Sequence, residues 1–423
     1  MLDFFENEIG EALYRDRRVV IHGVPGVGKT VTCLNYCKNR KFDYLYINCE
    51  YDGEIIERLS ELNDDENFNE KLIEICSFEA NTNFENACFI FDNIECSKEF
   101  CERLYPLLKR RPCLLMMTMR VINNTAEPVL KDTKRVIQRP LSFMEFLKLT
   151  SSFEYDRIVE GHMSASAPFP ELVINNITEE YDNYLRTGGM PEAVKCYGSD
   201  ENYDEKIHSI HDSGYVHVVE KTLEYSDLTD TQKNKCRQIL DSVIYQMLNT
   251  SYNKYVITHI RDGATIKNFK KELDFLVENN ILIKVNQIDH EKNNLLLFYD
   301  CGIICTKLLQ LSNKNRDYSH GSRIEYVLRK HFLYSELISS RIFPGFWRSN
   351  YTAVADAKFS VEGEELACFL LTDNKMRRSV EVYSKDHPES LNILLYNGNL
   401  IINEKNIFLP EFSISCIRHY LRH

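Results

Sequence analysis

The chain has 423 residues, 43% of them hydrophobic, and a formal net charge of −12. That length suits two to four domains with ample material for packed cores. The acidic balance argues against a general nucleic-acid coat, while leaving room for a local basic face. No run of about 18 apolar residues occurs, so no spanning helix is expected, and Met1-Leu2-Asp3-Phe4-Phe5-Glu6 lacks the basic start of a signal peptide. The 14 cysteines form no C-x-x-C pair and sit mostly in apolar stretches, as buried thiols of a cytoplasmic chain would.

Residues 1–17 read as an amphipathic helix on Phe4, Phe5, Ile9 and Leu13, leading into the short apolar run Arg18–His22, a buried strand. Next comes Gly23-Val24-Pro25-Gly26-Val27-Gly28-Lys29-Thr30, which fits the phosphate-loop pattern G-x-x-x-x-G-K-[ST] in full, and a helix follows from Val31 to Cys37. Strand, glycine loop and helix together make a site rather than a chance turn. The glycines let backbone N–H groups close on phosphate oxygens, and the helix N-terminus adds partial positive charge there. Lys29 would reach the β- and γ-phosphates of ATP, and Thr30 would ligate Mg²⁺. The residues from Gly23 to Val31 are therefore the expected nucleotide contacts.

Tyr44–Asn48 reads as a second strand, residues 53–62 and 68–78 as helices, Ala87–Asp92 as a third strand, Cys113–Thr118 as a fourth and Arg135–Gln138 as a fifth. Strands alternating with helices imply a parallel sheet covered on both faces, with ligands at the carboxyl ends of the strands. Asp92 closes four apolar residues and is the expected Walker B acid, a second Mg²⁺ partner beside Thr30, or else a helix cap. Thr118 ends the neighbouring strand, either reporting on the γ-phosphate or serving as a plain strand-end hydroxyl. After Asp92 stands Asn93, whose amide orients water but cannot accept its proton; Glu95 is the nearest alternative carboxylate. Nucleotide binding is expected, and turnover is expected to be slow.

Leu141–Leu147 opens a helix with Ser142 as N-cap and Glu145 at the capping-box position; residues 160–170 read as a loop; and Tyr181–Arg186 is helical up to Gly188-Gly189, with Pro191 restarting it. Residues 264–279 form an amphipathic helix on Ile266, Phe269, Leu273, Leu276 and Val277, followed by a hairpin of 281–285 with 295–299 across a polar loop at 286–294. Helix, turn, helix, hairpin is the winged-helix order. Lys267, Lys270 and Lys271 lie on its exposed side, as a DNA contact or as a solvated lysine face; the acidic chain favours the second. Gly321–Ser335 is a helix carrying Glu325, and 351–359 and 366–375 read as strands. Strand parity then aligns Asp356 with Asp373 and Lys375, either an ordinary exposed face or the two carboxylates and lysine of a metal-dependent nuclease core.

Taken together these segments resemble a large group of bacterial and archaeal AAA-like P-loop ATPases in which a winged helix and a PD-(D/E)xK nuclease-like domain follow the ATPase. The segments that carry the resemblance are the phosphate loop, Ile90–Glu95, Arg139-Pro140-Leu141-Ser142-Phe143-Met144-Glu145-Phe146, Tyr184–Glu192 with its G-G-x-P-E, Tyr299-Asp300-Cys301-Gly302, and Gly321 to Glu325 with Phe346-Trp347-Arg348. The resemblance implies an ATPase core at 1–140, a helical lid at 141–204, a winged-helix region at 205–312 and a restriction-endonuclease-like α/β domain at 318–423. It matches Asp356 and the Asp373-Asn374-Lys375 segment to the family's nuclease motif. The chain departs from the family at Asn93, at Ala353-Val354 and at Ala355, and no clear γ-phosphate-sensing arginine is legible, Lys131 and Arg135 being the nearest cations. The leading expectation is an ATP-dependent switch, possible as a homo-oligomer. An ATP-gated nuclease using Glu325, Asp356, Asp373 and Lys375 comes second, and a nucleotide-dependent DNA-binding regulator third.

Overall fold

A computed structural model describes residues 2–62, 71–72, 74–75, 87–198, 203–250, 254–288, 290–314, 321–371 and 374–421. Two compact units emerge. One comprises Met1–Arg139, Val216–Lys233 and Glu278–Asn280; the other comprises Pro140–Tyr215, Asn234–Val277 and Ile281–His423. The stretches read as lid, winged-helix region and C-terminal domain thus fall largely in the second unit.

In the first unit, β1 (Arg18–His22), β2 (Asp43–Asn48), β3 (Ala87–Asp92), β4 (Leu114–Met119) and β5 (Arg135–Ile137) form one parallel sheet in the order 5-1-4-3-2. Side chains alternate across it, as strand geometry requires. Val20, Phe89, Phe91, Leu115 and Met117 pack with helix α3 (Gly53–Ser60) and the segment from Phe100 to Leu108. Val19, Ile21, Cys88, Ile90 and Met116 pack with helices α1 (Leu2–Asp16) and α2 (Lys29–Arg40). Both faces are covered, so the strands read as continuous apolar runs. Of the helix expected over 68–78, Lys71, Leu72, Glu74 and Ile75 are helical and the remainder lies outside the described residues.

The second unit begins with helix α4 (Phe143–Thr150), whose capping box is present: Ser142 accepts from the Glu145 N–H and the Glu145 carboxylate accepts from the Ser142 N–H. Residues 160–164, expected as loop, belong to helix α5 (Tyr155–Ser164); Tyr155, Val159 and Met163 bury one helical face there and outweigh the Gly161 signal. Helix α6 (Glu171–Thr187) ends at Gly188 (φ 71°), and Pro191 opens helix α7 (Pro191–Cys196).

Three of the segments quoted above meet here. Leu141 N–H donates to Gly189 O at 2.8 Å, Gly189 N–H donates to Asp300 Oδ2 at 2.7 Å, and Asp300 Oδ1 accepts from Ile303 N–H at 3.0 Å. A Cβ on Gly189 would lie 2.0 Å from Leu141 O, and one on Gly302 would lie 2.4 Å from Thr187 O. The glycines are therefore required by backbone-to-backbone approach, not by chemistry. Gly189→Ala is expected to lower stability by about 1–3 kcal/mol, read as a fall in the denaturation midpoint.

Helices α8 (Tyr203–Glu224), α9 (Asp230–Asn249) and α10 (Ile266–Glu278) follow, then an antiparallel hairpin of β6 (Leu282–Gln287) with β7 (His290–Phe298). Phe269, Leu273 and Leu276 are buried on α10, whereas Ile266 is exposed. The polar stretch 286–294 is mostly strand rather than loop, because cross-strand pairing continues to Gln287 and His290. This hairpin extends the C-terminal sheet: Gln287 pairs with Phe346, and Ile288 N–H donates to Phe346 O at 2.9 Å. That sheet continues through β8 (Gly345–Arg348), β9 (Val354–Val361), β10 (Glu364–Leu370), β11 (Leu391–Tyr396), β12 (Ile401–Asn403) and β13 (Asn406–Pro410) in the order 12-13-11-10-9-8-6-7. Helices α11 (Cys301–Lys314), α12 (Gly321–Ser339) and α13 (Asn374–Asp386) belong to the unit, and short helical turns at Glu411–Cys416 and Ile417–Tyr420 follow β13. Among the described residues, no helix is long and apolar enough to cross a membrane.

Candidate nucleotide-binding site

The phosphate loop runs from the carboxyl end of β1 into α2, and three glycines serve it differently. Gly26 (φ 77°) and Gly28 (φ 97°) take left-handed backbone that other residues resist. A Cβ on Gly23 would strike Gln138 O at 2.4 Å. Gln138 Nε2 also donates to Val27 O and Thr32 Oγ1, both at 3.0 Å, tying the loop to the end of β5.

Lys29 is buried and folds back on the loop, donating to Gly23 O at 2.8 Å and Val24 O at 3.0 Å. Burial holds its ammonium down at about 8, partly offset by Glu95 and Asp92. An ammonium whose hydrogen-bond acceptors among the described residues are two carbonyls, with its burial only partly offset by Glu95 and Asp92, is under-compensated, and phosphate oxygens are the natural complement. The free site would then be half deprotonated at pH 8, and an arriving polyphosphate would restore the charge. Nucleotide binding is therefore expected to take up roughly half a proton at pH 8, measured by calorimetry in buffers of different ionisation enthalpy. The sign for folding runs the other way. Because the unfolded lysine titrates near its ordinary 10.5, the nucleotide-free chain should gain stability as pH rises from about 8 towards 10.5.

Asp92 collects the neighbouring hydroxyls. Thr30 Oγ1 donates within 3.0 Å of both carboxylate oxygens, Tyr46 OH donates to Oδ2 at 2.9 Å, and Thr118 Oγ1 donates to Oδ1. Thr118 sits on β4, between the phosphate-loop strand and the Asp92 strand, and also accepts from Asn93 N–H at 3.1 Å. Thr30 beside a buried carboxylate is an oxygen donor pair suited to Mg²⁺. Tyr46 was not foreseen; as a β2 side chain it becomes visible only once β2 is known to pair with β3.

Asn93 has φ 60° and ψ 51°, left-handed backbone that asparagine tolerates far better than glutamate. Glu95 is not a free carboxylate. Its Oε1 accepts from Arg120 Nε at 2.7 Å and from Arg120 N–H at 3.3 Å. Arg120 also donates from Nη1 to Glu50 Oε2 at 2.8 Å and stacks 4.5 Å over the Tyr225 ring, whose hydroxyl donates to Glu50 Oε1 at 2.6 Å. Arg120 was overlooked in the sequence, although it stands two residues past Thr118 at the mouth of the sheet. Of the cations expected nearby, Lys131 pairs with Glu127 at 3.1 Å on the surface and Arg135 is an exposed first residue of β5.

The strand expected over 366–375 ends early, so strand parity does not reach Lys375. β10 ends at Leu370, and Lys375 lies in α13, because Met376 is the one apolar residue from Asn374 to Arg378 and gives no strand alternation; Asp373 lies outside the described residues. Glu325 is an exposed side chain of α12, 3.8 Å from Arg329. Asp356 is fully buried and spoken for: Oδ1 accepts from Tyr326 OH at 3.0 Å and pairs with buried Lys330 at 3.3 Å, and Oδ2 accepts from Leu370 N–H at 3.0 Å. No group of three or more metal-ligating side chains occurs among the described residues. Lys267, Lys270 and Lys271 are all exposed on α10.

Neither a protein-family model nor a curated protein matches the chain. Among solved structures, the chain is similar to the Walker-type ATPase PABY2304 of Pyrococcus abyssi, with 12% identity and a TM-score of 0.45 over 73% of this chain and 95% of that one. It is also similar to the Aeropyrum pernix ORC1 protein in complex with DNA, with 12% identity and a TM-score of 0.25 over 74% and 93%. The Thermotoga maritima RuvB Holliday junction branch migration motor shares 10% identity with a TM-score of 0.29 over 70% and 91%.

Proposed function

We propose that the chain is an AAA-like P-loop ATPase that binds ATP with Mg²⁺ and works as a nucleotide-dependent switch. The observation that carries this reading is the conjunction of a complete phosphate loop with a buried, under-compensated Lys29 and a Thr30–Asp92 pair at 3.0 Å, all at the carboxyl ends of a parallel sheet. Gly23 to Val31 would line the phosphates. Thr30 and Asp92 would hold Mg²⁺, which supplies charge neutralisation on the phosphate oxygens when bound. Thr118 would relay the state of Asp92 to the Asn93 backbone.

Turnover would be slow for two reasons. Asn93 offers no base, and Glu95 rests on Arg120. Slow hydrolysis suits a switch, since each bound state then persists. The nuclease alternative is disfavoured by Asp356, whose carboxylate already holds an ammonium, a phenol and a backbone N–H. The test is a calorimetric titration of the full chain with ATP–Mg²⁺. Saturable binding with a stoichiometry near one is expected, and no heat of binding at millimolar ATP would refute the reading.

A further inference from the structure

The parallel part of the second sheet ends on a cavity. β11 pairs in parallel with β10 on one side and with β13 on the other. Leu371 follows the end of β10, Tyr396 ends β11 and Pro410 ends β13, and all three line one cavity of about 140 Å³. Helices α6 and α12 close it with Tyr181, Asp182, Glu325 and Arg329. In open α/β sheets, ligands collect at the carboxyl ends of parallel strands. One wall is a fixed guanidinium. Arg329 is 9% exposed. Its Nε donates to Glu411 Oε2 at 2.7 Å, and its Nη2 donates to Glu411 Oε1 and, at 3.3 Å, to Leu371 O. Tyr181 OH donates to the same Glu411 Oε2 at 2.9 Å. Two of the three guanidinium nitrogens are thus held. Among the described residues Nη1 makes no hydrogen bond, and the carboxylate oxygen it approaches, Glu325 Oε1, stays 3.8 Å away.

The mouth of the cavity carries the opposite sign. Asp182 and Glu325 are both exposed there. Desolvation raises the Asp182 carboxyl, and Glu325 adds to the rise against the opposing pull of Arg186 and Arg329. Glu411 already neutralises Arg329, so the cavity offers N–H donors inside and uncompensated carboxylates outside. A simple anion would meet Asp182 and Glu325. A simple cation would leave Nη1 without an acceptor. We propose that this cavity binds a small α-amino acid as its zwitterion, the carboxylate on Arg329 Nη1 and the ammonium between Asp182 and Glu325. Both charged groups of an α-amino acid hang on one carbon, so a single molecule can bridge Nη1 and Glu325 across their 3.8 Å gap and make a charge-assisted bond to each. Leu185, Leu371 and Phe412 supply an apolar wall for its side chain. Volume sets the size. A cavity near 150 Å³ accommodates benzene, so about six to eight non-hydrogen atoms fit. That admits alanine, serine or valine and excludes aromatic and long basic residues. The site lies wholly within the second unit and does not depend on the nucleotide-binding reading.

The experiment is calorimetric titration of the full chain, without nucleotide, with L-alanine, L-serine and L-valine. At least one should bind saturably with a Kd at or below about 1 mM. The tightest of the three is then compared with the carboxylic acid that lacks its ammonium and with the amine that lacks its carboxylate. Each half-ligand should bind at least about tenfold more weakly. Asp182→Asn and Glu325→Gln change exposed side chains outside the core, so the thermal midpoint of the free chain should stay where it is while amino-acid affinity falls about tenfold in each. No binding of any of the three at about 10 mM overturns the assignment. An amine that binds as tightly as its parent makes the cavity a cation site, an acid that does so makes it an anion site, and either result overturns the zwitterion. Affinity unchanged in both variants would move the amino acid out of this cavity.

Discussion

Lys29→Ala is expected to abolish ATP–Mg²⁺ binding without weakening the nucleotide-free fold. The two halves of that expectation have one cause. In the free site the ammonium is buried with the Gly23 and Val24 carbonyls as its acceptors among the described residues, and burial has already pulled it down to about 8. Keeping it charged at pH 7 costs folding free energy. A residue kept for packing would show the opposite sign, since its removal destabilises. The measurement is a pair of thermal melts. In wild type, ATP at 100 times its Kd should stabilise the fold by about 2.7 kcal/mol, a rise of roughly 5–10 °C for a domain of this size. In Lys29→Ala that rise should disappear while the nucleotide-free midpoint stays equal or higher. A midpoint that drops while ATP still protects would mean that Lys29 is a structural lysine and that the loop does not depend on it.

The site was legible in part, and the boundary is instructive. Everything local was visible: the phosphate loop from its spacing, β3 from four apolar residues and an acid, the α4 cap from Ser142 and Glu145. These signals span a few consecutive residues, and β3 and β4 are short, mostly apolar runs of strand length. What escaped depends on partners far apart in the chain. Tyr46 reaches Asp92 only because β2 lies against β3, and Arg120 meets Glu50, Glu95 and Tyr225 only in the folded unit. The left-handed backbone at Asn93 is a property of the turn rather than of the asparagine, which is only permissive of it. In the second unit the errors had the same origin. Parity along an assumed strand placed Lys375 beside Asp356, but parity has no meaning once the strand has ended at Leu370. Lys330 meets Asp356 instead of standing on a strand, offered by a helix whose apolar face gave no hint that a charge was buried in it.

Lys330→Ala is expected to be strongly destabilising, and its consequences separate a structural ion pair from a metal site. Lys330 is 1% exposed and Asp356 0% exposed, as side chains. Removing one member strands the other as a buried, unpaired charge, a loss of about 3–5 kcal/mol. Burial lowers the Lys330 ammonium, and the adjacent Asp356 raises it again, so the pair is mutually dependent rather than independently tolerated. The diagnostic comparison is the double variant Lys330→Met with Asp356→Leu. It removes both charges and fills the volume with apolar groups, and should recover most of the loss, because a well-packed apolar pair costs nothing to desolvate. Denaturant midpoints for Lys330→Met, Asp356→Leu and the double complete the cycle. The same proteins decide the nuclease question. If Asp356 serves as a metal ligand, manganese should stabilise wild type and fail to stabilise Asp356→Asn. The observed bonds predict instead that manganese leaves both midpoints where they are, since Tyr326, Lys330 and the Leu370 N–H already occupy the carboxylate. A manganese-dependent shift in wild type alone would show that the ammonium yields its place to a cation, and would return this domain to the list of candidate catalysts.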